Sequence, residues 1–175
     1  GNTGIRVVIV TSTESSDDVL FDEVTSYGIE CFRGNLNNVL LRFKEAADHL
    51  KLSQDSLIIR LTGDNVVPDG GLIDELIDLY VNNKQIGYIG ADFPNDNLPY
   101  GVNVEIFTVS SLENAYINAR SNFDLVHVTP WIKRYNNCCG MSPYISKNQR
   151  QYISSEFSLT IDNYNELEMM RGIFD

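Results

Sequence analysis

The chain has 175 residues, of which 43% are hydrophobic and 21% charged, the composition of a folded domain rather than of a disordered or fibrous chain. Its 24 acidic against 13 basic side chains leave a formal net charge of -11, which argues against duplex nucleic acid or an anionic membrane surface as the main partner. A small anionic substrate would need local help from a metal ion or a few placed basic groups. The length suits a single domain over residues 1–175, large enough to bury roughly 68 to 70% of its unfolded surface without disulfides or a structural metal. Cys138 and Cys139 are adjacent and Cys31 stands alone, which is neither a zinc spacing nor a disulfide framework. No apolar run approaches the roughly 18 residues of a membrane span, and no signal-type segment opens the sequence, so the expected location is the cytoplasm.

In chain order, Ile5 to Val10 is a continuous β-branched run, the pattern of a strand buried on both faces of a sheet. A sequence that opens on such a strand points to a further segment upstream. Asp17 or Asp18 is placed to cap a helix carrying Val19, Leu20 and Val24, which Gly28 ends. Ile29 to Arg33 reads as a second strand. Asn37 or Asn38 precedes an amphipathic helix with Val39, Leu40, Phe43, Ala46, Ala47 and Leu50 on one side, and Ser56 to Leu61 as a third strand. After the loop Pro68 to Gly71, helical spacing returns from Leu72 to Tyr80. This alternation predicts an α/β domain with a mostly parallel sheet. From Gly87 the rhythm changes, and the alternating run Val102 to Thr108 predicts antiparallel additions to the sheet. Helices are then expected over Ser111 to Ala119, Val126 to Tyr135 and Glu166 to Phe174.

Four groups of residues are placed to carry chemistry. Arg60-Leu61-Thr62-Gly63-Asp64-Asn65 sets Asp64 at the carboxyl end of a strand, the edge where open α/β sheets bind ligands, and a carboxylate there can hold Mg2+. The plainer alternative is that Asp64 caps a turn or the next helix. Asp162 ends a second short strand before the terminal helix and carries an N-cap signal; two carboxylates brought together from distant strand ends would repel without a cation between them. His127, beside apolar residues, suits a hydrogen-bonded core position as well as a site. Asn103 and Glu105 alternate on one strand face, able to read sugar hydroxyls or to form the wet side of an edge strand. P-loop, dinucleotide-fingerprint and HExxH motifs do not occur.

Seven stretches in register carry a resemblance: VVIVTS at Val7 to Ser12, CFRG at Cys31 to Gly34, NVLLRFKEAA at Asn38 to Ala47, LIIRLTGD at Leu57 to Asp64, YGVNVEIF at Tyr100 to Phe107, VHVTPWI at Val126 to Ile132 and LTIDNYNELEMMRGIF at Leu159 to Phe174. In this order they resemble the spore coat polysaccharide biosynthesis protein F family, relatives of the acylneuraminate and 3-deoxy-manno-octulosonate cytidylyltransferases. The resemblance implies a glycosyltransferase-A-like, Rossmann-related three-layer α/β sandwich. In it a sugar or sugar acid attacks the α-phosphate of a nucleoside triphosphate, usually CTP, releasing pyrophosphate, with Mg2+ supplying electrostatic stabilisation. By position it makes Asp64 and Asp162 metal ligands, with Asp64 and Arg33 on the nucleotide side and Asn103, Glu105 and His127 near the acceptor. It also points to bacterial surface or spore coat polysaccharide synthesis and, as in many relatives of this fold group, to a homodimer.

Departures are equally specific. The family's opening ARxxSxRLPGK signature, which embraces the triphosphate, would lie about 40 residues upstream, so the resemblance implies a sequence truncated at its N-terminus. Asn103 stands where the family commonly has Asp, Val126 where it has Glu and Ser158 where it often has Arg. A catalytically silent module binding a nucleotide sugar or a partner is therefore the alternative reading; a true glycosyltransferase is a third, with GDN a poor match to DxD.

Overall fold

A computed structural model of the chain describes residues 5–83, 87–90, 98–135 and 158–174. By the density of its internal contacts the chain divides into two compact units, residues 1–56 with 108–136 and residues 57–107 with 137–175.

In the first unit β1 (Val8–Ser12) and β2 (Glu30–Gly34) pair in parallel, Val8 opposite Glu30 and Ser12 opposite Gly34. The helix α1 (Asp18–Ser26) connects them, as a parallel pair requires. The strand begins three residues later than the β-branched run. Ile5 and Val7 are 49% and 68% exposed, so the expectation of a strand from Ile5 buried on both faces fails there. The ladder with β2 sets the strand's extent, and apolar content does not reveal where a partner's backbone starts. Gly28 ends α1's exit turn at φ 73, as expected.

Capping at α1 differs from expectation. Asp17 ends a 3-10 turn (Ser15–Asp17) and makes no side-chain cap. Its carboxylate instead turns back to β1, accepting from Thr11 Oγ1, Ser12 N and Ser12 Oγ at 2.6, 3.0 and 2.7 Å. These bonds, the Thr11 and Ser12 hydroxyls foremost, hold Asp17 well below the ordinary carboxylate value. A group depressed in the folded state stabilises the fold above its unfolded value, and that contribution is lost as pH falls through the folded one. Asp17→Asn is accordingly expected to lower the urea midpoint near neutral pH, with the gap to the parent closing below about pH 4.

The helix α2 (Val39–His49) starts where Asn38 Oδ1 accepts from Leu41 N at 2.9 Å, and it buries Leu40, Ala46 and Ala47. It packs on β2, α4 (Val109–Asn118) and α5 (Asn122–His127). Thr108 caps α4, accepting from Ser111 N, so that helix starts before the expected Ser111. The helix expected over Val126 to Tyr135 is two: α5, then α6 (Pro130–Tyr135). Pro130 suits a first helical position and keeps Thr129 out of the helical region.

In the second unit β3 (Leu57–Arg60), β4 (Tyr88–Gly90) and β5 (Glu105–Thr108) form a sheet in the order β3-β5-β4, with β4 and β5 antiparallel as the change of rhythm predicts. The helix α3 (Gly70–Asn82) is capped by Asp69, which accepts from Gly71 N and Leu72 N. Its buried Leu72, Leu76 and Tyr80 join Leu98, Val102, Val104 and Ile106 in one core. The last helix, α7 (Tyr164–Phe174), opens on a reciprocal cap. Asn163 Oδ1 accepts from Glu166 N at 3.1 Å, while Glu166 Oε2 accepts from Asn163 N and Asp162 N. Among the described residues no helix is long and apolar enough to cross a membrane. Cys138 and Cys139 lie outside the described residues; Cys31 is half-buried in β2, and burial pushes its thiol up against the opposing charge of Arg33.

Candidate functional site

The two aspartates singled out in the sequence are neighbours in the second unit. Ile161 N donates to Asp64 O at 2.9 Å, and Asn65 forms an antiparallel bridge with Thr160. The segment Ser158–Asp162 is stitched on its other side by Leu159 N donating to Tyr100 O at 2.8 Å and by a parallel bridge between Tyr100 and Ser158. Gly101 makes this possible. Its φ is 97°, and a Cβ there would lie 2.7 Å from the Leu159 carbonyl carbon and 2.9 Å from Thr160 N.

Neither aspartate is spent on a cap. The caps fall on Asp69 and Asn163, so the plainer readings of Asp64 and Asp162 do not describe them. Both residues are exposed. Asp162 Oδ2 accepts from Thr160 Oγ1 at 3.0 Å, a contact that orients it, and the Asp64 carboxylate accepts nothing from the described residues. Two hard oxygen donors held on one backbone junction suit Mg2+, which keeps several waters and binds through one or two carboxylates plus substrate phosphates. Among the described residues no group of three or more histidines, cysteines or acids gathers to hold a metal by protein ligands alone.

The other expected site residues are placed differently. Asn103 is half-buried just before β5. Glu105, 7% exposed, has both carboxylate oxygens engaged, Oε2 by Arg60 Nη1 and Oε1 by the Tyr88 hydroxyl at 2.9 Å. It is therefore not on the wet side of an edge strand. Arg33 lies in the first unit and donates to Ser12 O and Glu14 O, both at 2.8 Å, while pairing with Asp18; its guanidinium fastens the loop after β1. His127 is exposed, with its ring 4.5 Å from that of Phe123.

After His127 the backbone takes a strained step. Val128, fully buried, has φ 71 and ψ -58, and Thr129 N donates to His127 O at 2.8 Å. This γ-turn geometry is costly for a β-branched residue, about 1–3 kcal/mol. Across the turn Asp124 on α5 binds Ser121 Oγ at 2.6 Å and Arg134 on α6 at 2.6 Å, holding the two helices in place. Asp124→Ala is expected to reduce stability by about 1–3 kcal/mol, measured as a lower denaturation midpoint with unchanged m-value.

Arg42 is a feature that the sequence reading missed. Its stem lies over the carboxyl end of β2, where a Cβ on Gly34 would come 2.9 Å from Arg42 Cγ. Its Nε is buried without an acceptor among the described residues. The available signal was an arginine flanking the apolar stripe of an amphipathic helix, at the sheet edge where α/β folds bind ligands.

Comparison with known proteins adds to this geometry. A family model described as Cytidylyltransferase matches residues 2–171. An uncharacterized protein of Methanocaldococcus jannaschii is 28% identical over 164 residues, covering 93% of this chain and 63% of that protein. Spore coat polysaccharide biosynthesis protein SpsF of Bacillus subtilis is 28% identical over 178 residues, covering 97% of this chain and 67% of that protein. The solved structure of a cytidylyltransferase from Leptospira borgpetersenii serovar Hardjo-bovis superposes with a TM-score of 0.78 at 27% identity, over 94% of this chain and 66% of that one. The fold is thus the mixed α/β, Rossmann-like fold expected from the sequence, and the chain spans about two thirds of the length of these relatives.

Proposed function

From its membership of the cytidylyltransferase family, to which the chain belongs by the match over residues 2–171, we propose that the protein acts in transferring a cytidylyl group from CTP to a sugar or sugar acid. The observation that supports this reading is the backbone junction of Asp64 with Ile161, which brings two exposed carboxylates from distant segments to one place, Asp162 oriented by the Thr160 hydroxyl. Asp64 and Asp162 would hold Mg2+ there. Bound Mg2+ would supply charge neutralisation at the phosphoryl oxygens. The chain's own part is to hold these carboxylates in place, through Gly101, Thr160 and the backbone bonds on either side.

An acceptor hydroxyl oxygen forms a bond to the α-phosphorus of CTP, the bond from that phosphorus to the β-phosphate bridging oxygen breaks, pyrophosphate leaves and the acceptor proton passes to solvent or a base. In the first unit Arg33 fastens the loop after β1 through the carbonyls of Ser12 and Glu14.

The similarity to a spore coat polysaccharide protein supports a sugar-type acceptor in surface polysaccharide synthesis. The test is pyrophosphate release by the full-length protein with each of the four nucleoside triphosphates against a panel of sugar acids and neutral sugars, with and without Mg2+. Release that requires CTP, a sugar and Mg2+ is expected. CTP binding without release under every condition would instead establish a silent binding module.

A further inference from the structure

Glu105 and Arg60 form a part-buried ion pair, and taking such charges out of water is costly unless both are well partnered. The second oxygen of Glu105 is satisfied by the Tyr88 hydroxyl. The register explains how that phenol arrives. Gly90 lies opposite Glu105 in the β4–β5 ladder, and Tyr88 is two residues earlier on the same strand face. A Cβ on Gly90 would sit 2.4 Å from the Tyr88 hydroxyl oxygen and 2.9 Å from Cζ. Glycine is thus needed here for passage of the ring toward Glu105, its φ not being positive.

The network ties together β3, β4 and β5 where the chain leaves β3 for the Asp64 loop. Arg60 is the last residue of β3, four positions before Asp64. The intervening loop has little packing of its own: Leu61 is 42% exposed, and nothing lies within 4 Å of a Cβ built on Gly63. Its turn is closed by Asn65 N donating to Thr62 O at 3.1 Å, and its far end is held by Ile161. Position must therefore come from the two ends.

We propose that Arg60, Glu105 and Tyr88, admitted by Gly90, are positioning residues that hold the near end of the Asp64 loop, so that Glu105 acts through Arg60 and not on the acceptor. The significance of the loop rests on the reading of Asp64 as a metal-binding carboxylate; the network's hold on it does not.

The test uses the full-length protein and Tyr88→Phe, which keeps the ring and removes the hydroxyl that donates to Glu105, alongside Glu105→Gln. Hydrogen exchange at the Thr62–Asn65 amides and Mn2+ binding followed by electron paramagnetic resonance are measured on variants whose circular dichroism matches the parent. Both variants are expected to exchange faster at the Asn65 amide and to bind Mn2+ about tenfold more weakly, the scale of outer-shell effects on metal sites. Unchanged exchange over 62–65 in folded Tyr88→Phe and Glu105→Gln would overturn the proposal. An Asp64→Asn control that binds Mn2+ as well as the parent would overturn the metal reading alone, leaving the exchange result to decide the positioning claim.

Discussion

Asp64→Asn and Asp162→Asn are each expected to slow CTP-dependent pyrophosphate release about a hundred- to a thousandfold, the usual cost of removing one preorganised electrostatic partner of a developing charge. Neither change should shift the melting temperature by much. Both side chains are exposed and neither caps a helix; Asp162 contributes one hydrogen bond with the Thr160 hydroxyl. A large loss of turnover with little loss of stability separates a site residue from a structural one. Raising the Mg2+ concentration is expected to recover part of the activity of either variant, because one carboxylate and the phosphate oxygens remain. Parent-level turnover in Asp64→Asn would remove this residue from the chemistry.

Gly101→Ala is expected to produce the largest change in stability of any glycine-to-alanine substitution in the described residues, a loss of about 2 kcal/mol or more. Two effects act together: the backbone stands at φ 97, and the new methyl would press on the Leu159 carbonyl carbon and Thr160 nitrogen at 2.7 and 2.9 Å. Backbone cannot rotate away as a flexible side chain can, so relief requires the segment Ser158–Asp162 to move. That segment carries Asp162 and the bond to Asp64, and Mn2+ binding should weaken in the same variant. Gly172→Ala is the contrasting control. It lies in α7 with nothing within 4 Å, and better helix propensity should stabilise the protein by about 0.5–1 kcal/mol. Urea denaturation of both variants checks the opposite signs, and equal midpoints would refute the close-approach argument.

The candidate site was legible in the sequence only as local signatures. Asp64 after a strand and Asp162 before a helix stood out because strand ends and helix starts leave local signatures, and the order of seven phrases pointed to the family. The partners of Arg33 and Glu105 were not legible in the same way. Both are charged residues in suggestive phrases, yet Arg33 is occupied by the carbonyls of Ser12 and Glu14, and Glu105 by Arg60 and Tyr88. A carboxylate's partners across a sheet cannot be read from its neighbours in the chain. For the same reason Arg42 went unnoticed, since an orphaned Nε exists only relative to everything packed around it.

By itself, then, the sequence determined the alternation of strands and helices, the antiparallel turn of the later sheet, and caps such as Asn38, because these depend on side chains within a few residues of the backbone they serve. Tertiary structure decided where β1 begins, why α5 and α6 are separate helices held by Asp124 and Arg134, and which charged groups remain open to a ligand. Those outcomes depend on ladder partners, close approaches at Gly90 and Gly101, and the desolvation of charges by distant segments. Each is an interaction between residues far apart in the chain, whose energy exists only once the fold has brought them together.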